Sequence, residues 1–144
     1  MYTSRPIMFN RLAPIHIRAL QKIVGDNFVL TDPDSLEGAS CDETEDLHFT
    51  PDAVVRPRTP DEIGEILKLA NRENIPVTPR GGGTGLSGGA LAVHGGIVLG
   101  MDRFDKIIEI DTENLFVTVE SGVITENLQN AVESVGLFYP PDPA

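Results

Sequence analysis

The chain has 144 residues, 40% of them hydrophobic and 6% aromatic, with no Trp, 14 Gly and 11 Pro. Eleven basic against twenty-two acidic side chains give a formal net charge of −11 at pH 7, so the whole-chain field repels nucleic-acid phosphates and anionic lipid. The single cysteine, Cys41, excludes an internal disulfide and a thiolate metal cluster, and no apolar run approaches the roughly 18 residues of a membrane-spanning helix.

Taken in chain order, Leu12, Ile15, Ala19, Leu20, Ile23 and Val24 recur at helical spacing, with Pro14 at the start and Gly25 as a stop; they predict a packing helix over 12–24. Asp26 to Asp52 carries nine carboxylates and no Lys or Arg, interrupted by Pro33, Gly38 and Pro51. It reads as a long, solvated acidic loop, since Asp42–Asp46 lacks the central Gly and alternating ligands of a calcium loop. Ala53–Pro57 reads as a short strand. Thr59-Pro60-Asp61-Glu62 then has the form of a capping box with proline at the first helical position, followed by Ile63, Ile66, Leu67 and Ala70 on one helical face. Ile75–Pro79 is a second strand, so the unit predicts a parallel strand–helix–strand crossover. Gly96–Gly100, Lys106–Ile110 and Leu115–Glu120 read as three further strands, the last two joined by a turn in which Asn114 supplies the positive φ. Thr125 is the expected cap of a last helix whose stripe is Leu128, Ala131, Val132 and Val135, with Gly136 after its end. The expected class is α+β, a small parallel crossover followed by antiparallel strands.

Nine of the fourteen glycines lie between Gly81 and Gly100. The densest stretch is Pro79-Arg80-Gly81-Gly82-Gly83-Thr84-Gly85-Leu86-Ser87-Gly88-Gly89, directly after the second strand. Each glycine costs roughly 0.5–1 kcal/mol of backbone entropy against alanine, so six of them in Gly81–Gly89 need a compensating role. Glycines let consecutive N–H groups converge on one anion, and a phosphate or pyrophosphate is the natural guest. The 28 residues between Glu73 and Asp102 contain no carboxylate, where average acidity would place about four. Arg80, Thr84 and Ser87 add donors. A dinucleotide fold is a poor match for this loop, because Gly83-Thr84-Gly85-Leu86-Ser87-Gly88 is not followed by a helix, although Asp102 stands about where a ribose-binding acid would. No Lys completes a Walker A loop. His16, His48 and His94 are isolated, and Cys41 sits among acids that disfavour a thiolate; none is read as a ligand or nucleophile.

With these segments together, the chain resembles the flavin-binding half of the vanillyl-alcohol-oxidase, PCMH-type flavoproteins, specifically the glycolate oxidase GlcD and D-lactate dehydrogenase branch. The matching segments are Pro51–Pro57, Thr59–Ile63, Ile75–Gly89, Val119-Glu120-Ser121-Gly122-Val123 and Tyr139-Pro140-Pro141-Asp142-Pro143. The resemblance implies FAD as cofactor, with Pro79, Arg80, Gly81, Gly82, Gly83, Thr84, Gly85, Leu86, Ser87, Gly88 and Gly89 around its pyrophosphate. It implies Gly122 near the nucleotide, and Pro141, Asp142 and Ala144 toward the flavin. Residues 1–50 are thus expected to be an N-terminal helix and acidic loop and, by the resemblance, 51–144 the first part of the flavin domain of a parent enzyme much longer than this chain. The resemblance implies that the parent is an oxidoreductase acting on a small 2-hydroxy acid, with electron-transfer subunits in the glycolate oxidase case; the single cysteine and the lack of a long apolar run make a cytoplasmic location the expectation. No residue here is assigned as catalytic base or metal ligand. A phosphate-binding module without redox chemistry, and a UDP-sugar reductase of the same flavin fold, are the alternatives.

Overall fold

The computed structural model describes residues 8–141. Its elements are α1 (Pro14–Val24), a 3-10 turn at Asp26–Phe28, β1 (Val29–Leu30), α2 (Pro33–Gly38), β2 (Ala53–Val55), α3 (Pro60–Arg72), β3 (Val77–Arg80), β4 (Ile97–Gly100), β5 (Ile107–Asp111), β6 (Phe116–Val119) and α4 (Thr125–Glu133). β1, β2, β4 and β3 form one sheet in that spatial order, and β5 with β6 an antiparallel hairpin. The α+β expectation therefore holds, and so does the parallel crossover: β2 and β3 run parallel, with β4 between them and paired in parallel with both.

Side-chain alternation explains how that sheet is buried on both faces. Ala53 and Val55 of β2 and Ile97 and Leu99 of β4 share one core with Leu20 and Val24 of α1 and with Ile66, Leu69 and Ala70 of α3. Val54 and Val98 point the other way, into a smaller cluster with Ala39 and Ala92, against which Leu36 of α2 packs. A strand covered on both faces reads as a continuous apolar run, and all four residues of β4 are buried.

The predicted helices lie where expected but differ from the sequence reading in both caps and stripes. In α3 the Glu62 N–H donates to Thr59 Oγ1 at 3.2 Å, while the Glu62 carboxylate reaches past the cap to the Arg58 N–H at 2.7 Å, not to Thr59 as expected. Leu69 is buried and Leu67 is 46% exposed, the reverse of the predicted stripe, and Ile15 of α1 is also largely exposed. α4 begins one residue earlier than predicted, with Ile124 as cap and Thr125 already helical. In the hairpin turn, Leu115 rather than Asn114 carries the positive φ. The Asn114 N–H and side-chain amide are both spent on the Asp111 carboxylate, at 2.8 and 2.9 Å, and hold its pKa below the usual range.

The acidic stretch is not one loop. Asp32 accepts from the Ser35 N–H at 2.9 Å and Pro33 occupies the first turn, so a short helix forms that ends at Gly38. Asp52 ties the N-terminal segment to the sheet: its Oδ2 accepts from the Leu12 N–H at 3.1 Å and the Gly96 N–H at 3.2 Å, while Oδ1 pairs with Arg11.

Two glycines give opposite expectations. Gly96 has φ +75° and a Cβ there would overlap the Pro76 carbonyl, whereas Gly64 inside α3 has nothing within 4 Å of its would-be Cβ. Gly96→Ala should destabilise the protein by about 2 kcal/mol or more, and Gly64→Ala should stabilise it by roughly 0.5–1 kcal/mol. Urea unfolding of both variants beside the parent checks the signs.

Candidate functional site

The parallel register sets Val55, Pro79 and Leu99 at one level, and Arg80 beside Gly100. The carboxyl ends of three strands thus open on one edge, the position at which open α/β sheets receive ligands. A shallow cleft of about 240 Å³ lies there, lined by Gly38 and Arg56 together with Arg80, Gly81, Gly100 and Asp102.

Gly81–Gly89 leaves β3 in irregular backbone, turning through positive φ at Gly83 (+76°) and Gly88 (+68°). The other glycines are not demanded by packing: a Cβ on Gly81 or Gly89 would meet nothing within 4 Å, and one on Gly82 only Thr84, at 3.9 Å. What they do is leave the backbone bare. Among the described residues, the N–H groups of Gly82 through Ser87 have no protein acceptor, and Gly82, Thr84, Gly85, Leu86 and Ser87 are exposed. No helix follows the loop; Ala90–His94 is turns and coil up to the Gly95–Gly96 bend.

Arg80 supplies the charge. Its guanidinium lies over Gly83, where a Cβ would overlap it. Nη2 donates to the Gly38 carbonyl at 3.2 Å, and Nη1 is buried with no protein partner. Unmet donors on a cation beside a run of free backbone N–H groups fit the oxygens of a pyrophosphate.

The field at this edge is not free of carboxylates, as the sequence window implied, because the fold delivers them from elsewhere. Asp102 is held by Arg56, whose Nε lies 3.0 and 2.8 Å from its two oxygens, with Nη2 completing the pair. That hydrogen bonding keeps the Asp102 carboxyl below the usual carboxylate range and raises Arg56; Asp102 is thus engaged within the protein. Asp42 comes from the acidic segment. Burial pushes its pKa up, and the Thr44 N–H and hydroxyl, the Ala90 N–H and the Arg80 charge outweigh this and hold it low. Nothing in the 74–101 window could have signalled either contact.

Gly122 packs on the same edge by another route. Its N–H donates to the Phe104 carbonyl at 2.8 Å, and a Cβ would overlap the Met101 carbonyl, while the Met101 N–H donates to the Arg80 carbonyl at 2.9 Å. Pro79 is exposed on β3. Pro141 is exposed beside α4, its carbonyl accepting from Gln129 Nε2 at 3.4 Å, and Asp142 and Ala144 lie outside the described residues. The histidines have local partners: His16 Nδ1 accepts from the Ala13 N–H, His48 bonds Ser40 and Glu37, and His94 stacks on Phe9. Cys41 is an exposed thiol.

Residues 51–144 match the FAD binding domain family. The chain belongs to that family. Its FAD-binding fold is of the PCMH type: p-cresol methylhydroxylase with substrate bound superposes with a TM-score of 0.76 at 25% identity, over 85% of this chain and 25% of that one. Among curated relatives, the glycolate oxidase subunit GlcD of Bacillus subtilis is 50% identical over 105 residues, 73% of this chain and 22% of that protein. D-lactate dehydrogenase of Anaerostipes hadrus is 41% identical over 65% of this chain and 20% of its own length. D-2-hydroxyglutarate dehydrogenase of Stutzerimonas stutzeri is 35% identical over 90% of this chain and 28% of its own. The chain therefore spans 20–28% of the length of these relatives.

Within this FAD-binding domain, the Arg56–Asp102 pair makes stability depend on pH. A carboxylate whose folded pKa is depressed contributes stability above its unfolded value of about 4 and loses it as pH falls through the folded value. Asp102→Asn should lower the urea midpoint at pH 7, and the gap to the parent should narrow as pH falls from 7 to 3. An equal gap at both pH values would rule this linkage out.

Proposed function

We propose that the chain is the FAD-holding part of a flavin-dependent 2-hydroxy-acid oxidoreductase of the glycolate oxidase or D-lactate dehydrogenase type. The observation that carries the reading is the bare run of N–H donors from Gly82 to Ser87, which follows β3 beside the unmet Nη1 of Arg80. The printed activities of the relatives supply the reaction class.

On this reading residues 51–144 are the first part of the flavin domain, and residues 1–50 are an N-terminal helix and acidic segment laid against it. Pro79 at the strand end aims the loop, Arg80 places a positive charge on the pyrophosphate, and the backbone from Gly81 to Gly89 supplies uncharged donors, with Thr84 and Ser87 adding hydroxyls. Leu86, largely exposed at the loop, covers the apolar side of the nucleotide. Gly122 keeps the segment behind Arg80 close-packed, and Pro141, with Asp142 and Ala144 outside the described residues, is assigned to the flavin side of the cofactor. Bound FAD would supply the acceptor for the hydride leaving the substrate Cα. This chain's share of the work is to bind and orient; substrate contacts are assigned to the remainder of the enzyme. The substrate is a small 2-hydroxy acid such as glycolate or D-lactate, and electron-transfer subunits are the expected partners in the oxidase case. Among the described residues no helix is long and apolar enough to cross a membrane, and composition favours the cytoplasm.

The full-length protein should purify with a flavin absorbance band and reduce an artificial electron acceptor with glycolate or D-lactate. Flavin without such turnover would favour a reductase or a binding module, and a colourless protein unaffected by added FAD would overturn the assignment. Gly82→Val, at a position with no close protein neighbour, should weaken FAD binding by about tenfold, the scale of one or two hydrogen bonds lost to steric displacement, while leaving the melting temperature of the apoprotein unchanged.

A further inference from the structure

The glycine loop does not hold its own shape. Six of its nine residues are glycine, and among the described residues no backbone hydrogen bond joins one part of Gly81–Ser87 to another. What does hold it comes from about forty residues earlier in the chain. The Gly88 N–H donates to Thr44 Oγ1 at 2.8 Å, and the Gly85 carbonyl accepts from the Glu43 N–H at 3.2 Å. The strap that makes these two contacts is itself fixed by Asp42, whose Oδ1 accepts from the Thr44 N–H at 2.9 Å. Asp42 Oδ2 is buried, 3.9 Å from where a Cβ on Gly85 would stand. The Gly38 carbonyl, four residues before Asp42, takes Nη2 of Arg80. One short segment thus touches the loop at Gly85, at Gly88 and through Arg80.

The two loop contacts differ in kind. Glu43 uses its backbone, which any residue provides, whereas Thr44 uses a hydroxyl that the sequence had to choose. If the hydroxyl is removed, the Gly88 N–H loses its acceptor at the point where φ is +68°, and the far end of the loop loses its side-chain anchor. We propose that Thr44 and Asp42 are positioning residues of the FAD site: Thr44 pins the far end of the glycine loop and Asp42 fixes Thr44, so that the unpaired N–H groups from Gly82 to Ser87 are held in place for the pyrophosphate. Neither residue needs to touch the cofactor. The acidic segment, which reads in sequence as solvated surface, is in this respect part of the cofactor site. Preorganisation of this kind lowers the ordering cost met on binding.

This inference rests on the proposed FAD function, and its test separates the two. In the full-length protein stripped of flavin, FAD affinity is measured by quenching of flavin fluorescence, and the melting temperature of each apoprotein is recorded beside it. The parent protein must bind FAD; failure there defeats the functional reading itself. Given that binding, Thr44→Val, which preserves shape and removes the acceptor, should weaken FAD by about tenfold, the scale of one backbone hydrogen bond left unmade. Thr44→Ser should restore most of the affinity. Asp42→Ala should weaken FAD similarly, and the double variant Asp42→Ala with Thr44→Val should be much less than additive, because both act through one strap. Unchanged affinity in Thr44→Val would overturn the proposal. So would a loss that Thr44→Ser fails to rescue and that follows the apoprotein's melting temperature, since that pattern reports folding alone.

Discussion

The insertion of β4 between β2 and β3 is the constraint from which the rest of the architecture follows. Ile97–Gly100 is hydrogen-bonded along both edges and buried on both faces, and burial of each large apolar side chain in it is worth about 1.5–3 kcal/mol. Its alternation assigns Ile97 and Leu99 to the α1 and α3 core and Val98 to the α2 side. Its register brings the ends of β2, β3 and β4 level, which sets Arg56, Arg80 and Asp102 around one cleft. Gly96 permits the close approach of the chain to Pro76 at the strand's entry, and Asp52 grips the Gly96 N–H there.

A protein of net charge −11 can still present an anion site because the donors are backbone groups. N–H dipoles carry no counter-charge and are indifferent to overall composition; they need only be uncovered and convergent, which glycine allows. The carboxylates that the fold brings near are each already engaged, Asp102 by Arg56 and Asp42 through one oxygen by the Thr44 N–H. The overall charge therefore informs about large polyanions and leaves open what one loop can hold.

What could be read in advance was local. The α3 start was legible because Thr59, Pro60 and Glu62 carry a cap that depends on neighbouring residues alone, and the glycine loop because its composition has no cheap structural alternative. Which leucine of α3 faces the core was not, since Leu67 and Leu69 stand on opposite sides and only the packed sheet decides between them. The place of β4 was also hidden: strand order depends on contacts between segments some twenty to forty residues apart, and apolar alternation is the same for either neighbour. Thr44 and Gly88 meet across 44 residues, so no window of ordinary length could link them. The short helix α2 is the exception: its start is local, with Asp32 capping and Pro33 in the first turn, yet the stretch reads as acidic loop.

The edges of the four-stranded sheet also bear on how this protein behaves in company. One edge, β1, is only two residues long, and the other, β3, carries Pro79, which has no N–H to offer. Short edge strands and edge prolines are the devices by which β-proteins avoid templating a neighbour's strand. The strand that gives the loop its direction is thus also protected against aggregation: another chain cannot zip continuously along it, and self-association through this sheet would have to begin from a face or a loop.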